Sequence, residues 1–280
     1  MDLTTTTKLN NGVEMPWVGF GVFQTEPGPE VERAVAWALE AGYRHIDTAA
    51  IYRNEEGVGK AIKEVGVPRE ELFVTTKVWN SDQGYDSTLK AMERSLEKLG
   101  FDYVDLYLIH WPVPGKYKET WRALERLLDE GHTRAIGVSN FLIHHLEDLA
   151  KDSDTVPAVD QVEFHPFLVQ EELLDFCKGK GIQLEAWSPL TRGQFLDNEV
   201  IQRISKKHGK TPAQVLLRWD LQKGIVTIPK SVHKDRIVEN SKVFDFELEQ
   251  EDIEALNALN EDHRIGPHPD SEEFYAGKGK

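Results

Sequence analysis

One cysteine, Cys177, is all the chain offers in 280 residues, so an internal disulfide and a cysteine-only metal site are both excluded. No stretch approaches the ~20 apolar residues that a bilayer-spanning helix needs. The opening residues, MDLTTTTKLNNG, carry neither the basic n-region nor the apolar h-region of a secretory signal. These absences point to a reducing cytoplasm. Positive charge is also scarce. The 33 Lys and Arg against 48 Asp and Glu leave a formal charge of -15, which opposes general affinity for nucleic acid or anionic membranes. There is no low-complexity segment, no repeat longer than the strand–helix rhythm and no linker, so a single domain over 1–280 is expected. A third glycine is missing as well. Gly19-Phe20-Gly21 runs on into Val22, Phe23 and Gln24, which is not the glycine fingerprint of an open dinucleotide-binding sheet.

What is present is a regular alternation. Asn11-Gly12 between two β-prone stretches signals an N-terminal hairpin. Candidate strands then fall at 17–22, 43–48, 72–77, 104–110, 135–139, 159–163, 183–187 and 225–228. Apolar residues at helical spacing fill the gaps, at 29–40, 54–64, 88–99, 120–130, 143–150, 171–180, 200–208 and 212–222. Two further helices, 233–241 and 250–259, precede an aperiodic tail expected to be irregular, with a frayed Lys-Gly end. Eight strands separated by helices predict right-handed crossovers and a parallel sheet, and at this length a closed (β/α)8 TIM barrel with an N-terminal hairpin and extra C-terminal helices and loop.

In such a barrel the strand ends share one mouth. The residues found there are Asp47, Lys77, His110, Ser139 with Asn140, Gln161 with Glu163, Trp187 with Ser188, and Lys230. Each follows a run that should be buried, so these polar groups are expected to face one another. The stretch GYRHIDTAAIY adds a phenol, Tyr52, five residues after Asp47. Taken singly, a Lys–Asp pair reads as a structural ion pair, Tyr52 as packing and His110 as a core histidine. Their joint placement at different strand ends favours chemistry.

Seven stretches carry a specific resemblance: GYRHIDTAAIYRNEEGVG (42–59), TTKVW (75–79), DLYLIHWP (105–112), AIGVSNF (135–141), QVEFHP (161–166), AWSPL (186–190) and IPKSVHKDRIVEN (228–240). In this order they resemble the aldo-keto reductases, NADPH-dependent carbonyl reductases on a (β/α)8 barrel, over almost the whole chain. The family's catalytic acid, tyrosine, lysine and histidine fall on Asp47, Tyr52, Lys77 and His110. The resemblance implies reduction of an aldehyde or ketone by direct hydride transfer, with Tyr52 as general acid. A free phenol near pKa 10 is a weak donor at neutral pH. An adjacent Lys77 ammonium is expected to lower that value, Asp47 to hold the lysine charged, and a neutral His110 to hydrogen-bond the carbonyl oxygen.

The same resemblance assigns Ser139, Asn140 and Gln161 to the nicotinamide carboxamide and Trp187 to its ring face, with Ser188 and Leu190 beside them. Lys230, Ser231, Val232, Arg236 and Asn240 fall where the family holds the adenosine 2′-phosphate and adenine. His233 stands where some relatives carry arginine, so NADPH is expected first and NADH as a weaker alternative. Phe23, Trp79 and Trp111, with Tyr52 and His110, are expected to line the substrate pocket. The tail is shorter than in many vertebrate members, which implies a more open pocket like that of bacterial members acting on diketogluconate, glyoxal or methylglyoxal. Nothing in the sequence demands more than a monomer.

Two other readings are open to the residues. A redox-sensing or accessory subunit would keep the fold and the NADPH site without turnover, which the intact Asp47/Tyr52/Lys77/His110 set opposes. A metal-dependent barrel enzyme would recruit Asp160, Glu163, His165 and Glu185. No second well-placed histidine joins His165, so metal: none is the expectation.

Overall fold

The computed structural model describes residues 2–276. A hairpin of β1 (Thr6–Lys8) and β2 (Glu14–Pro16) precedes eight parallel strands. These are β3 (Phe20–Gly21), β4 (His45–Asp47), β5 (Phe73–Val78), β6 (Val104–Ile109), β7 (Thr133–Ser139), β8 (Val159–Glu163), β9 (Gln183–Trp187) and β10 (Val226–Thr227), each paired with the next. A parallel bridge between Val18 and Thr227 returns β10 to the start and closes the barrel. The seam is held by Gly19 N–H to Thr227 O at 2.9 Å and Gly21 N–H to Pro229 O at 3.1 Å. The strands expected at 17–22 and 225–228 are therefore only two residues each, because Pro229 has no N–H with which to extend the ladder.

Helices α1 (Pro29–Glu40), α2 (Glu55–Val65), α3 (Tyr85–Leu99), α4 (Tyr117–Asp129), α5 (Ile143–Leu149) and α6 (Glu171–Lys180) cover successive strands. Then come α7 (Glu199–His208), α8 (Pro212–Gln222), α9 (Lys234–Asn240), α10 (Gln250–Asn257) and a terminal α11 (Glu272–Tyr275). α1 shows the common pattern. Pro29 starts it, and Val31, Ala34, Val35, Ala38 and Leu39 bury one stripe. α8 begins on a capping box, in which Thr211 Oγ1 accepts from Gln214 N–H and Gln214 Oε1 accepts from Thr211 N–H. That fixes Thr211–Ala213 at the cavity described below. At Gly59 a side chain would collide with the Leu99 carbonyl, so the glycine lets α2 lie against the end of α3. Among the described residues no helix is long and apolar enough to cross a membrane.

Two apolar cores result. The larger fills the space between strands and helices. The smaller lies inside the barrel, where Phe73, Leu106, Leu108, Ala135, Val159 and Val226 meet Leu9 and Met15 from the hairpin. The hairpin is thus the barrel's floor, and burying Met15 completely stabilises it by about 1.5–3 kcal/mol. Because strand side chains alternate, the same inward rows that are apolar at the floor continue into polar residues toward the mouth.

From 260 to 271 the tail is irregular, as expected, but it ends in the short α11 and lies across the mouth. Glu163 accepts from Ile265 N–H at 2.5 Å and from Gly266 N–H at 3.0 Å. Burial raises the pKa of Glu163, but His165 and these two N–H groups together hold it below the ordinary carboxylate value. Gly266 is required here, since a Cβ would strike the Trp187 ring. Farther on, Phe274 packs on Trp111 with ring centroids 4.6 Å apart. The tail therefore narrows the mouth from one side. The Lys-Gly end lies outside the described residues.

Candidate active site

Asp47 ends β4 and Lys77 lies near the end of β5; both are buried, at 2 % and 0 % exposure. Lys77 Nζ donates to Asp47 Oδ1 at 2.7 Å and to Thr48 O at 2.9 Å. Burial works against the ammonium, but Asp47 together with Tyr52 and Glu185 outweighs it and Lys77 sits above its ordinary pKa. Tyr52 is presented by a 3-10 turn, Ala50–Tyr52, and Lys77 Nζ lies 5.1 Å from its ring centroid. Asn54 anchors this turn. Its Nδ2 donates to Val22 O and Thr25 O, and its Oδ1 accepts from Thr48 Oγ1 at 2.8 Å.

His110, one residue beyond β6, faces Tyr52 with ring centroids 5.7 Å apart and Trp79 at 5.1 Å. Burial, reinforced by Lys77, holds its pKa well below the usual histidine value, so the imidazole is neutral as expected. Its Nδ1 is buried without a hydrogen-bond partner. Tyr52 departs from expectation. Burial raises its pKa more than Lys77 lowers it, and Asp47 adds to the rise, so the phenol lies above its ordinary value. The lysine tempers the shift without reversing it.

Ser139 and Asn140 leave β7, and Gln161 lies in β8 beside them. Ser139 Oγ donates to Gln161 O at 2.7 Å. Asn140, at φ 63°, occupies the left-handed region, a conformation that costs about 1–3 kcal/mol outside glycine and is often kept at functional sites. The turn lets its Nδ2 donate to His110 O at 2.9 Å while its Oδ1 accepts from Trp187 Nε1 at 2.8 Å. Trp187 is thereby clamped between Asn140 and Gly266. Ser188, at φ 52°, turns the chain sharply after β9.

These groups line one cavity of about 850 Å³, within the range of cofactor sites. It runs from Tyr52, His110 and Trp111 past Trp187, Ser188 and Leu190 to Lys230, Ser231, Val232, Arg236 and Asn240. Lys230 Nζ donates to Gln24 O at 3.1 Å, and burial lowers its pKa. Arg236 is exposed at the cavity edge and unpaired among the described residues, whereas its neighbour Lys234 is engaged by Glu40 at 3.0 Å. Of the residues expected at the mouth or in the cofactor and substrate site, Lys77 and Glu163 are absent from the lining: Lys77 sits beneath Asp47 and Tyr52, and Glu163 is taken up by the tail.

Sequence reasoning missed Arg192, Thr211, Pro267 and Phe274, all of which line the cavity. Arg192 reaches across it to the Phe23 ring, 5.6 Å from centroid. Arg192 lies in a 3-10 turn, Pro267 in an irregular loop, Thr211 at a helix start and Phe274 in the four-residue α11, and only the Thr-Pro-x-Gln capping pattern at 211–214 carried a local signal.

The four imagined metal ligands do not converge. Glu163 holds the tail and His165, Asp160 accepts from Phe141 N–H, and Glu185 is bound to Gln161. Among the described residues the one group of three within ligating reach is His144, His145 and Asp270, outside the barrel. There His145 Nδ1 accepts from Leu142 N–H, so its Nε2 carries the proton and faces Asp270 at 3.2 Å as a donor.

A closed parallel barrel with an ion-paired lysine, a phenol and a neutral imidazole at the inner end of a long cavity is the architecture of a cofactor-dependent oxidoreductase. Comparison with known proteins gives the family. The family model for the aldo/keto reductase family matches residues 18–261. The glyoxal reductase of Bacillus subtilis is 65 % identical over 268 residues, covering 96 % of this chain and 97 % of the relative. The methylglyoxal reductase DkgA of Escherichia coli is 47 % identical over 270 residues, with coverages of 95 % and 97 %. The crystal structure of a Bombyx mori aldo-keto reductase in complex with NADP superposes with a TM-score of 0.88 at 39 % identity, covering 97 % of this chain and 96 % of that one. The chain belongs to the aldo/keto reductase family. It is an NADP-dependent oxidoreductase that reduces aldehydes and ketones to alcohols.

Proposed function

We propose that this chain reduces small aldehydes and dicarbonyls of the glyoxal and methylglyoxal type, as a cytoplasmic, monomeric, single-domain enzyme with Tyr52 as proton donor. The observation that carries the reading is the Tyr52–Lys77–Asp47–His110 group at the inner end of the cavity. Relatives named for glyoxal and methylglyoxal reduction support the substrate class. So does the narrowing of the mouth by Trp111 and Phe274, which favours a small carbonyl compound.

NADPH fits the residues present. Ser139, Asn140 and Gln161 offer donors and acceptors to a carboxamide, Trp187 offers a ring face, and unpaired Arg236 with Lys230 and Ser231 offers charge to a 2′-phosphate. When bound, the reduced nicotinamide supplies the hydride that adds to the carbonyl carbon. His110 positions the carbonyl oxygen by donating from its neutral ring. Tyr52, held protonated because burial raises its pKa, transfers its phenolic proton to that oxygen. The Lys77 ammonium stabilises the phenolate left behind, and Asp47 keeps the lysine charged and in place. Phe23, Trp79 and Trp111 form the apolar walls.

The test is NADPH consumption with glyoxal, methylglyoxal, 2,5-diketogluconate and a nitrobenzaldehyde in parallel. Turnover with the two small dicarbonyls is expected. Tight NADPH binding without turnover of any of the four would instead support an accessory subunit. For the cofactor end, Arg236→Ala is expected to raise the KM for NADPH about tenfold or more, the worth of a charged hydrogen bond, and that for NADH less than twofold. Equal effects on both cofactors would remove Arg236 from the 2′-phosphate site.

A further inference from the structure

Below the cavity lies a buried carboxyl that the proposed chemistry does not use. Glu185, on β9, is 0 % exposed inside the barrel. Its Oε2 accepts from Gln161 Nε2 at 2.8 Å, and the same nitrogen donates to Asp47 Oδ2 at 2.8 Å. The two N–H bonds of the Gln161 amide are thus each directed to a different acid. Gln161 Oε1 accepts from no protein group among the described residues, and the side chain lines the cavity. The reverse amide orientation would set that oxygen against the ion-paired Asp47 carboxylate, a repulsive contact in a buried setting.

We infer that Glu185 is a positioning residue of the cofactor site: by taking the second N–H of Gln161 it locks that amide with its oxygen toward the cavity, as an acceptor for the amino group of the nicotinamide carboxamide. The inference rests on the proposed assignment of Gln161 to the carboxamide. Asp47 alone would leave one hinge-like bond about which the amide can turn, and the second bond removes that freedom.

The charge balance of the barrel interior is consistent with this role. Burial and the Asp47 carboxylate push the pKa of Glu185 up to about 8, so at neutral pH it is mainly the uncharged acid. Its other oxygen, Oε1, lies 3.5 Å from His45 Nε2. His45 is itself neutral, pushed down to about 3 chiefly by burial. An uncharged Glu185 can therefore accept from Gln161 through Oε2 and carry its proton on Oε1, which has no hydrogen-bond partner among the described residues. Two carboxyls then flank one amide with a single negative charge between them, and Lys77 balances that charge.

Two conservative variants separate reach from charge. Glu185→Asp keeps the acid but is one methylene short of Gln161. Glu185→Gln loses the acid but keeps an oxygen at the same reach. Calorimetric affinities would be compared for NADPH and for its reduced 3-acetylpyridine analogue, whose methyl ketone lacks the amino group that Gln161 would bind. Wild type is expected to prefer NADPH. Glu185→Asp is expected to weaken NADPH about fivefold with the analogue unchanged, and to raise the KM for NADPH without lowering kcat at saturation. Glu185→Gln is expected to stay within about twofold of wild type for both. Retained wild-type preference in Glu185→Asp, or equal weakening of both cofactors, would overturn the inference and leave the Gln161 assignment standing. A wild-type enzyme with no preference would overturn the Gln161 contact and this inference with it.

Discussion

Tyr52→Phe is expected to lower kcat for aldehyde reduction by about 10²–10⁴, the usual worth of a positioned general acid, while leaving NADPH affinity within about twofold. The substitution removes one oxygen and keeps the ring, which packs at 5.1 Å from Phe23 and 5.7 Å from His110. Fold and cavity walls should therefore survive. No neighbouring group can replace the lost proton. Lys77 is fixed by Asp47 and Thr48, and His110 is neutral with its pKa held low by burial. Single-turnover reduction of methylglyoxal, with NADPH binding measured separately, checks this. Near-wild-type turnover would remove Tyr52 as donor.

Lys77→Met is expected to lose activity to a similar degree and also to destabilise the fold by about 3–5 kcal/mol, the cost of leaving one member of a buried ion pair alone. Lys77 is fully buried, so water cannot replace the ammonium beside Asp47. Without its partner, Asp47 should hold its proton far more strongly in the folded chain than in the unfolded one. For an acid with a raised folded pKa, stability is present at low pH and lost as pH rises through that value. The deficit of Lys77→Met relative to wild type should therefore shrink as pH is lowered from 8 to 5, measured by urea unfolding. A pH-independent deficit would mean that Asp47 is not left charged and unpaired.

The placement of Asp47, Lys77 and His110, three of the four residues proposed to be catalytic, was legible in the sequence because a parallel barrel fixes where a strand end must go. Asp47, Lys77 and His110 each close an apolar run, and the alternating rows of β4, β5 and β6 leave such residues little choice but the mouth. The eight-strand order was legible for the same reason. The shortness of β3 and β10 was not, since barrel closure through one bridge depends on Pro229 facing Gly21 from almost the other end of the chain. The direction of the Tyr52 shift was not legible either, because it is a contest between burial and Lys77 that only the packed structure decides. Glu185 entered the sequence reading solely as a conceivable metal ligand; its contact with Gln161 comes from neighbouring strands in register, with Gln161 opposite Glu185. Phe274 and Pro267 were invisible because the tail is aperiodic and takes its course from Glu163, about a hundred residues earlier in the chain.

Three of the seven tryptophans, Trp79, Trp111 and Trp187, line the cavity, and two of them touch the tail at Phe274 and Gly266. The enzyme thus carries its own optical reporters at the cavity proposed to receive its ligands. Indole emission from Trp187 would be drained by a dihydronicotinamide against its ring, whereas Trp111 would report on the Phe274 side of the cavity. Replacing each in turn by phenylalanine would assign each share of the signal, with no added dye.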